Sequence, residues 1–496
     1  MVLSRRREWR ARFGRLSPTL TLVVFLGGCA KFSPDGGMGI VSDLTTAAIG
    51  EPVRKIRSED EATAAQARVA DLLSRTMTAD AAVRIALLNN RGLQAAYNEL
   101  GVSESTIVEA SLPPSPAITL SRLVQPSSIE LEAQILQNVL SLLTLPRRRE
   151  IAEDRFFQAQ TRAVETTLRV AADARRAYYR AVAANELVKL LNQALMSAET
   201  VSDFAKKLGE TGGMSKLDQA REHAFTAEVG GQLAQARLNQ RLERERLNQA
   251  LGLWGAQIKY KLADKLPALP SKPKIEDDIE TEAVLFRVDL EIARMEVAIL
   301  AKEFGLTHAT RFIDVLDVRG IRRLEKTDVT EVDYTLGPGP SLIRTTTDRT
   351  EKIRWRGLDV DFQIPIYDFG EVRTRRAEET YMAAVNRVIE KAVNVRSEAR
   401  QAYQAYRGNF DVVRHYEREI LPLRQIISEQ TLLNYNGMLI DVFALLTDAR
   451  ARIDTNVQAV TARRDFWLAK VDLHTAVVGG RDAADPQARV PGAAGG

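Results

Sequence analysis

The feature that most constrains this chain is a pair of segments too long and too regular for a compact domain. From about residue 147 to residue 208 there is no internal proline, and apolar or small residues recur at helical spacing. Residues 371–433 repeat this pattern with a single proline, Pro422. At about 1.5 Å per residue, a helix of about 60 residues reaches about 90 Å. The sequence therefore predicts two rod-like helices, of which the second is kinked at Pro422.

Both rods end at glycine-containing turns, and a helix returns from each. Gly213 and Gly437 lie in these turns and are expected to serve the chain reversal. The return helices are shorter than the rods, so we expect early helices to stack end-on with them, along alanine-rich seams that allow close packing. The return and early helices are predicted at about 214–253, 438–478, 79–110 and 277–309.

The chain is also internally duplicated. Residues 87–96 resemble residues 284–293, and aligning Leu93 with Leu290 sets an offset of about 197 residues. Each half then runs through an early helix, two strand-like runs, a long helix, a turn and a return helix. A repeat of this size indicates approximate internal symmetry.

The strand-like runs show side-chain alternation with a period of two. In 129–135 and 351–366, apolar residues alternate with carboxylate or amide residues, whereas the runs at about 116–124 and 311–321 are less regular. A soluble sheet shows the same alternation, but a polar side rich in carboxylates and amides suits a water-filled lumen. The sequence between the last two strands, residues 337–340, is expected to be a loop.

After the N-terminal leader, no segment approaches the roughly 18 to 20 apolar residues of a membrane helix. If the chain crosses a bilayer, it must therefore do so with strands that close into a barrel, because only helices and closed barrels satisfy their backbone groups in lipid. One chain supplies about four strands, and a closed barrel needs about eight or more. We therefore expect a ring of two, three or four subunits.

The first 28 residues predict export. They hold six arginines and one glutamate, and a short apolar run leads to Leu26-Gly27-Gly28-Cys29, which resembles the cleavage site of a bacterial lipoprotein. This resemblance implies that residues 1–28 are removed, that Cys29 is lipidated, and that Ala30 permits transport to the outer membrane. Residues 29–75 lack sustained periodicity and are interpreted as a tether.

Removal of the leader, which carries +5, changes the net charge from +4 to −1, so a nucleic-acid partner loses its electrostatic support. No phosphate-binding loop and no nucleophile–base pair stands out, so we expect no cofactor, no metal and no enzymatic activity. The tail, residues 481–496, is expected to be disordered. The four histidines are scattered without metal-ligand spacing, at His223, His308, His415 and His474.

Together these features resemble the TolC-like outer-membrane efflux family, over roughly residues 75–480. Residues 364–370 (Ile-Pro-Ile-Tyr-Asp-Phe-Gly) are similar to the family's strand-to-helix junction. Residues 435–437 and 445–450 look like its second hairpin tip. In the first half, residues 145–149 (Leu-Pro-Arg-Arg-Arg) depart from the junction motif.

The resemblance implies a fold of long α-helices plus transmembrane β-strands. In a homotrimer, four strands per chain would form a 12-stranded barrel in the outer membrane, and the long helical hairpins would form a periplasmic α-barrel. The first repeat would span residues 76–270 and the second residues 271–480. The strands and the hairpin of each repeat are expected at about 116–143 and 147–253, and at about 311–366 and 370–478.

The resemblance also implies an exit duct for efflux or type I secretion. Such a channel sits in outer-membrane lipid, docks on a periplasmic adaptor bound to an inner-membrane pump of the RND or ABC type, and does no chemistry of its own. Gly213 and Gly437, at the hairpin ends, would then lie where the adaptor makes contact.

The same resemblance points to two gate candidates. Asp448 matches one of the carboxylate positions that ring the closed periplasmic entrance of such channels; Leu445 stands at the other, and Asp441 is a possible substitute. Three-fold symmetry would bring like charges together near the axis and disfavour anions. The alternative is that both carboxylates are ordinary solvated or helix N-terminal residues.

Two other functions remain open at this stage. A periplasmic adaptor is also a hairpin protein and is sometimes lipid-anchored, although adaptors usually have one hairpin between split β-domains and this chain has two similar halves. A structural envelope spacer would share the architecture but keep its tunnel occluded.

Overall fold

The computed structural model describes residues 32–273, 278–336, 338–339 and 342–479. The predicted signal segment, Cys29 and the predicted tail 481–496 lie outside the described residues. The described residues divide into two compact units. Unit 1 contains residues 32–34, 102–157 and 296–385, and unit 2 contains residues 35–101, 158–295 and 386–479. Neither unit coincides with a sequence repeat, because each takes segments from both halves of the chain.

Long helices and one larger sheet make up most of the fold. The helices are α1 (Met38–Ile49), α2 (Glu59–Ser74), α3 (Ala79–Asn89), α4 (Arg91–Ser111), α5 (Val139–Glu210), α6 (Lys216–Leu251), α7 (Ile279–Phe286), α8 (Val288–Ala309), α9 (Glu371–His415), α10 (Leu421–Asn436) and α11 (Val442–Val478). The strands are β1 (Thr76–Met77), β2 (Ala117–Gln125), β3 (Ser128–Asn138), β4 (Lys261–Leu262), β5 (Val315–Leu336) and β6 (Leu342–Gln363).

Unit 1 contains a four-stranded antiparallel sheet in the order β2-β3-β5-β6. The strands predicted from alternation are present, but β5 and β6 are longer than expected, at 22 residues each. The pairing of β5 with β3 ends at Thr327 and Ser128, and beyond it β5 and β6 pair only with each other. That extension was missed because residues 344–350 alternate among polar residues and show no apolar face.

The junction from strand to helix in the first half corrects the predicted boundary. The strands were expected to reach about residue 143 and the helix to start near residue 147, but β3 ends at Asn138 and α5 begins at Val139. The Asn138 side chain accepts a hydrogen bond from the Ser141 N–H at 2.6 Å, so it caps the helix there. Pro146 consequently lies inside α5, in its second turn.

The second half makes the same connection with a turn. The Asp368 carboxylate accepts hydrogen bonds from the N–H groups of Gly370 (3.1 Å) and Val372 (3.3 Å), which caps the start of α9. Phe369 and Gly370 both have positive φ, at 46° and 74°. A Cβ at Gly370 would overlap the backbone carbonyl of Arg311, with its carbon only 2.9 Å away. Only glycine fits at this position.

The N-terminal segment contains more regular structure than the predicted tether. Residues 38–49 and 59–74 are helical, as α1 and α2. Ser58 caps α2 by accepting from the Glu61 N–H, and three acidic residues occupy its first turn. A Ser-x-x-Glu signal was therefore present in the sequence and was not recognised.

The core of unit 2 gathers aromatic residues that are otherwise scarce in the chain. Tyr179 stacks on Trp467 with ring centroids 5.2 Å apart, and Phe466 contacts both Tyr406 and Phe410. These residues come from α5, α9 and α11, so the contacts join helices from the two sequence repeats. Burial of large rings contributes several kcal/mol to holding the long helices side by side.

The predicted internal symmetry is visible where the early helices break. α3 ends and α4 begins at Asn90, and α7 ends and α8 begins at Arg287, which is 197 residues further along the chain. The backbone angles at the two breaks nearly coincide, with φ −69° and ψ 111° at Asn90 and φ −72° and ψ 115° at Arg287. Leu93 and Leu290, which were aligned in the sequence, are both fully buried.

Each break also receives the end of a return helix. The Asn89 side-chain amide donates to the carbonyls of Leu251 (3.3 Å) and Gly252 (2.6 Å) at the end of α6. In the second half, Gly479 ends α11 against the backbone of Val288. The return helices therefore meet the early helices end to end, as expected, and some of the carbonyls left over at a helix end are satisfied.

The second rod is interrupted close to Pro422, where the sequence predicted a kink. A π-helical turn, Tyr416–Ile420, separates α9 from α10, and Pro422 is the second residue of α10. Because proline has no N–H to donate to the preceding turn, the helix widens before it.

We expect Gly370→Ala to lower the free energy of unfolding by at least about 2 kcal/mol, because the added Cβ meets the backbone of Arg311 and the φ is left-handed. The measurement is thermal unfolding of the detergent-solubilised protein. Gly408→Ala, in the interior of α9 with no heavy atom within 4 Å of the new Cβ, is the matched control and should leave stability equal or higher. Equal melting curves for both variants would contradict the packing argument.

Candidate functional sites: a two-faced sheet and two hairpin ends

The two faces of the four-stranded sheet differ in charge. Strand pairing fixes which side chains share a face, because directly paired residues project to the same side. Where β5 pairs with β3, over residues 317–327, one side, here called the acidic face, carries seven carboxylates and two arginines, a net charge of −5. The carboxylates are Glu130, Glu132, Asp317, Glu325, Glu351, Asp359 and Asp361, and the arginines are Arg319 and Arg323.

Both arginines of the acidic face are neutralised across strands. Arg319 pairs with Asp361 at 3.0 Å, and Arg323 pairs with Glu130 at 2.6 Å and with Glu132 at 2.7 Å. Carboxylates remain in excess on this face, so its surface is negatively charged.

The other side of the sheet, here called the apolar–basic face, has no carboxylate in the four-stranded part. Near the helices it consists of large apolar side chains that are exposed in the single chain, for example Leu358 at 70% and Ile118 at 66%. Such a surface is not stable in water as a contiguous patch and indicates an apolar environment. The predicted alternation in β3 and β6 is thus confirmed by the register.

The outer edges of β2 and β6 are not paired with any other described strand. A row of backbone N–H and C=O groups therefore stays available along each edge. Exposed edges of this length are a template for another chain.

The first hairpin end joins α5 to α6. Gly213 lies in the turn, where its N–H donates to the Leu208 carbonyl at 2.8 Å. The left-handed residue of this turn is Gly212, with φ 79°, rather than Gly213. Ser215 then caps α6 by accepting from the Asp218 N–H.

The second hairpin end joins α10 to α11. Gly437 ends α10, with an ordinary φ of −79°, and the left-handed position is taken by Met438, with φ 59°. The side chains of Met438 and Leu439 are 92% and 76% exposed. A non-glycine residue in this conformation costs about 1 kcal/mol, so the end of the second hairpin holds a strained, exposed apolar residue.

The two gate candidates have different surroundings. Asp441 is exposed and caps α11, since its carboxylate accepts from the Ala444 N–H at 2.9 Å. Asp448 is only 9% exposed and accepts a hydrogen bond from the Ser428 hydroxyl of α10 at 2.7 Å. Arg424, also on α10, lies 4.0 Å from its other oxygen. Asp448 therefore links two neighbouring helices of its own chain.

Sequence reasoning missed one buried acid near the hairpin ends. Glu222 of α6 is fully buried, and neither carboxylate oxygen has a hydrogen-bond partner among the described residues. Burial raises the pKa of Glu222 above its ordinary value, and the nearby Arg450 guanidinium opposes that shift. No motif marks this residue, because burial of one helical position depends on the packed partner helices.

Among the described residues, no helix combines the length and the apolar character needed to cross a bilayer. Over the same part of the chain, no group of three or more histidine, cysteine or acidic side chains is placed to hold a metal ion.

Comparison with known proteins by sequence gives no relative: no family model and no curated protein matches the chain. Comparison of the structure, in contrast, identifies similar proteins. The chain resembles CusC, whose crystal structures describe transmembrane channel formation, with 14% identity, a TM-score of 0.63, and coverage of 82% of this chain and 94% of that one. The fold is therefore that of outer-membrane channel proteins.

Two further solved channels show the same likeness. The outer-membrane channel OprN is 17% identical, with a TM-score of 0.62 and coverage of 88% of this chain and 95% of that one. The CmeC outer-membrane channel of Campylobacter jejuni is 14% identical, with a TM-score of 0.60 and coverage of 90% and 93%. The similarity extends over nearly the whole length of these proteins.

Proposed function

We propose that this chain is one subunit of an outer-membrane exit duct that passes substrates from a periplasmic adaptor and an inner-membrane pump to the exterior. The observation that carries the proposal is the sheet, which has an exposed apolar side, an acidic side and two unpaired edges. A wall between lipid and a water-filled lumen needs these three properties together.

The height of the sheet supports a membrane role. Eleven residues of β5, from Asp317 to Thr327, pair with β3 on one side and with β6 on the other. At a rise of about 3.4 Å and a tilt of about 40°, they span about 29 Å, which is enough to cross the apolar core of an outer membrane. β5 and β6 then continue as a two-stranded extension on the loop side.

Closing the two open edges requires further copies. Four strands per chain give a barrel of 12 strands in a homotrimer, the arrangement implied by the resemblance to the TolC-like family, and the hairpins of three chains would then supply a periplasmic α-barrel. The structural likeness is to channels, and none of the matches described favours the adaptor or spacer alternatives.

The acidic face would line the lumen, and a net charge of −5 per chain predicts a cation-selective pore. We expect the wild-type protein in planar bilayers to conduct with a reversal potential on the cation-selective side under a salt gradient. Asp359→Asn combined with Glu325→Gln removes two carboxylates of that face that form no ion pair with described residues, and should shift the reversal potential towards zero.

The matched control alters the same number of charges on the other side of the sheet. Arg354→Gln combined with Arg356→Gln should leave selectivity unchanged, because these residues face away from the lumen. Equal shifts in both double variants would contradict the assignment of faces. Absence of any conductance in wild type and in gate variants would count against a channel.

Asp441 and Asp448 are retained as gate residues with different roles. Asp441 would supply negative charge at the periplasmic entrance, and Asp448 would hold α10 to α11 through Ser428. Asparagine caps a helix about as well as aspartate, whereas alanine costs about 1 kcal/mol. Asp441→Asn should therefore raise resting conductance several-fold without lowering the melting temperature.

The comparison with Asp441→Ala separates charge from capping. If the charge gates the pore, the asparagine and alanine variants open it equally, and only alanine lowers stability. A change confined to Asp441→Ala would show that the helix end matters and would contradict the gate role.

The remaining parts of the proposal concern attachment. Cleavage before Cys29 and lipidation of its sulfur and amino group would anchor the chain, and the mass of the mature N-terminal peptide tests this directly: an unmodified Cys29 contradicts it. The hairpin ends at Gly213 and Gly437 would contact the adaptor, and the exposed Met438 and Leu439 supply apolar surface there. The pump, of RND or ABC type, would supply the energy.

A further inference from the structure

Six basic residues gather on the apolar–basic face of the sheet. They occupy three successive rows at the end of the four-stranded part that is nearer the loops. Their side chains are all exposed in the single chain. The six residues are Arg122 of β2, Arg322 and Lys326 of β5, and Lys352, Arg354 and Arg356 of β6. They are called the basic rows below.

The basic rows have no counter-charge within the four-stranded part, and the carboxylates that follow on the same face, Asp328 and Asp348, lie in the two-stranded extension and accept hydrogen bonds from Thr350 and Thr330. No carboxylate shares their face in the four-stranded part. None of the six forms an ion pair with a described residue, whereas Arg319 and Arg323 on the acidic face are both paired. The same sheet therefore neutralises arginines on one side and leaves them unneutralised on the other.

The register makes this arrangement costly. Arg322 lies directly opposite Arg356, and Lys326 lies directly opposite Lys352. Like charges at paired positions destabilise a sheet by a few tenths of a kcal/mol to about 1 kcal/mol each. Such pairs are tolerated most readily where an external anion lies between them.

The position of the basic rows on the sheet indicates which class of anion would lie between them. On the same face, the rows nearer the helices are apolar, with Leu358, Val360 and Phe362 on β6, and the basic rows follow them towards the loops. If the apolar rows lie in hydrocarbon, the basic rows lie at the headgroup level of the outer leaflet. Arginine binds phosphate with two parallel hydrogen bonds, and lysine acts as a point charge.

We infer that the basic rows bind the phosphate groups of an anionic glycolipid of the outer leaflet. Six basic side chains without an ion-pair partner among the described residues, in three adjacent rows about 7 Å apart along each strand, suit a headgroup with more than one phosphate better than a zwitterionic lipid. The inference rests on the proposed function, since it takes the apolar–basic face as the lipid-facing side of the barrel.

The test uses the full-length, detergent-solubilised protein and three probes: lipid A with two phosphates, lipid A with one phosphate, and phosphatidylcholine. We expect bisphosphorylated lipid A to raise the melting temperature and to bind at least tenfold more tightly than phosphatidylcholine, with the monophosphorylated form in between. The triple variant Arg322→Gln/Arg354→Gln/Arg356→Gln should bind bisphosphorylated lipid A at least tenfold more weakly. Without lipid it should melt no lower than wild type, because it removes the like-charge pair of Arg322 and Arg356.

The matched control Arg319→Gln/Arg323→Gln/Arg349→Gln removes three charges from the opposite side of the sheet, since Arg349 lies on that side in the two-stranded extension, opposite Val329. This control should keep wild-type affinity. Equal affinity for all three probes, or equal losses in both triple variants, would overturn the inference. Conductance in phosphatidylcholine bilayers separates the two proposals: a conducting protein without phosphate preference refutes only the lipid site, whereas a protein that neither inserts nor conducts refutes the channel as well.

Discussion

The backbone groups left unpaired at the two edges of the four-stranded sheet are the main constraint on the rest of this chain. β2 and β6 each leave one edge unpaired in the described structure, and one side of the sheet is apolar and exposed. In water this combination promotes aggregation. In lipid it is tolerated only if the edges are closed by other copies. The proposed oligomerisation and the proposed barrel in the membrane would thus both follow from one requirement, that buried backbone groups be satisfied.

Much of the architecture follows from sequence pattern because it depends on local regularity. The long helices, their glycine-containing turns and the offset of about 197 residues between Leu93 and Leu290 need only periodicity and self-similarity. The failures lie where one side chain overrides the pattern. Asn138 starts α5 eight residues early by capping it, and Ser58 starts a helix in the predicted tether. The extension of β5 and β6 was missed because its residues are mostly polar on both sides of the strands and therefore show no alternation of apolar with polar residues.

The candidate sites were less predictable than the fold. Glycines at both hairpin ends were recognised, but the left-handed positions are Gly212 and Met438, since turn geometry depends on where the helix hydrogen bonds stop. Asp448 was found by resemblance, yet its hydrogen bond to Ser428 depends on how α10 packs on α11. The basic rows are scattered over three strands in the sequence, so only the register brings them together.

The continuous register of β5 with β6 runs without a bulge from Val315 opposite Gln363 to Leu336 opposite Leu342. Side chains alternate at every position, so inserting or deleting one residue inside either strand would exchange the side chains on its two faces beyond that point. A change of two residues would keep both sets in place. Length variation within these strands during evolution is therefore expected in steps of two, with odd-numbered changes confined to the loops.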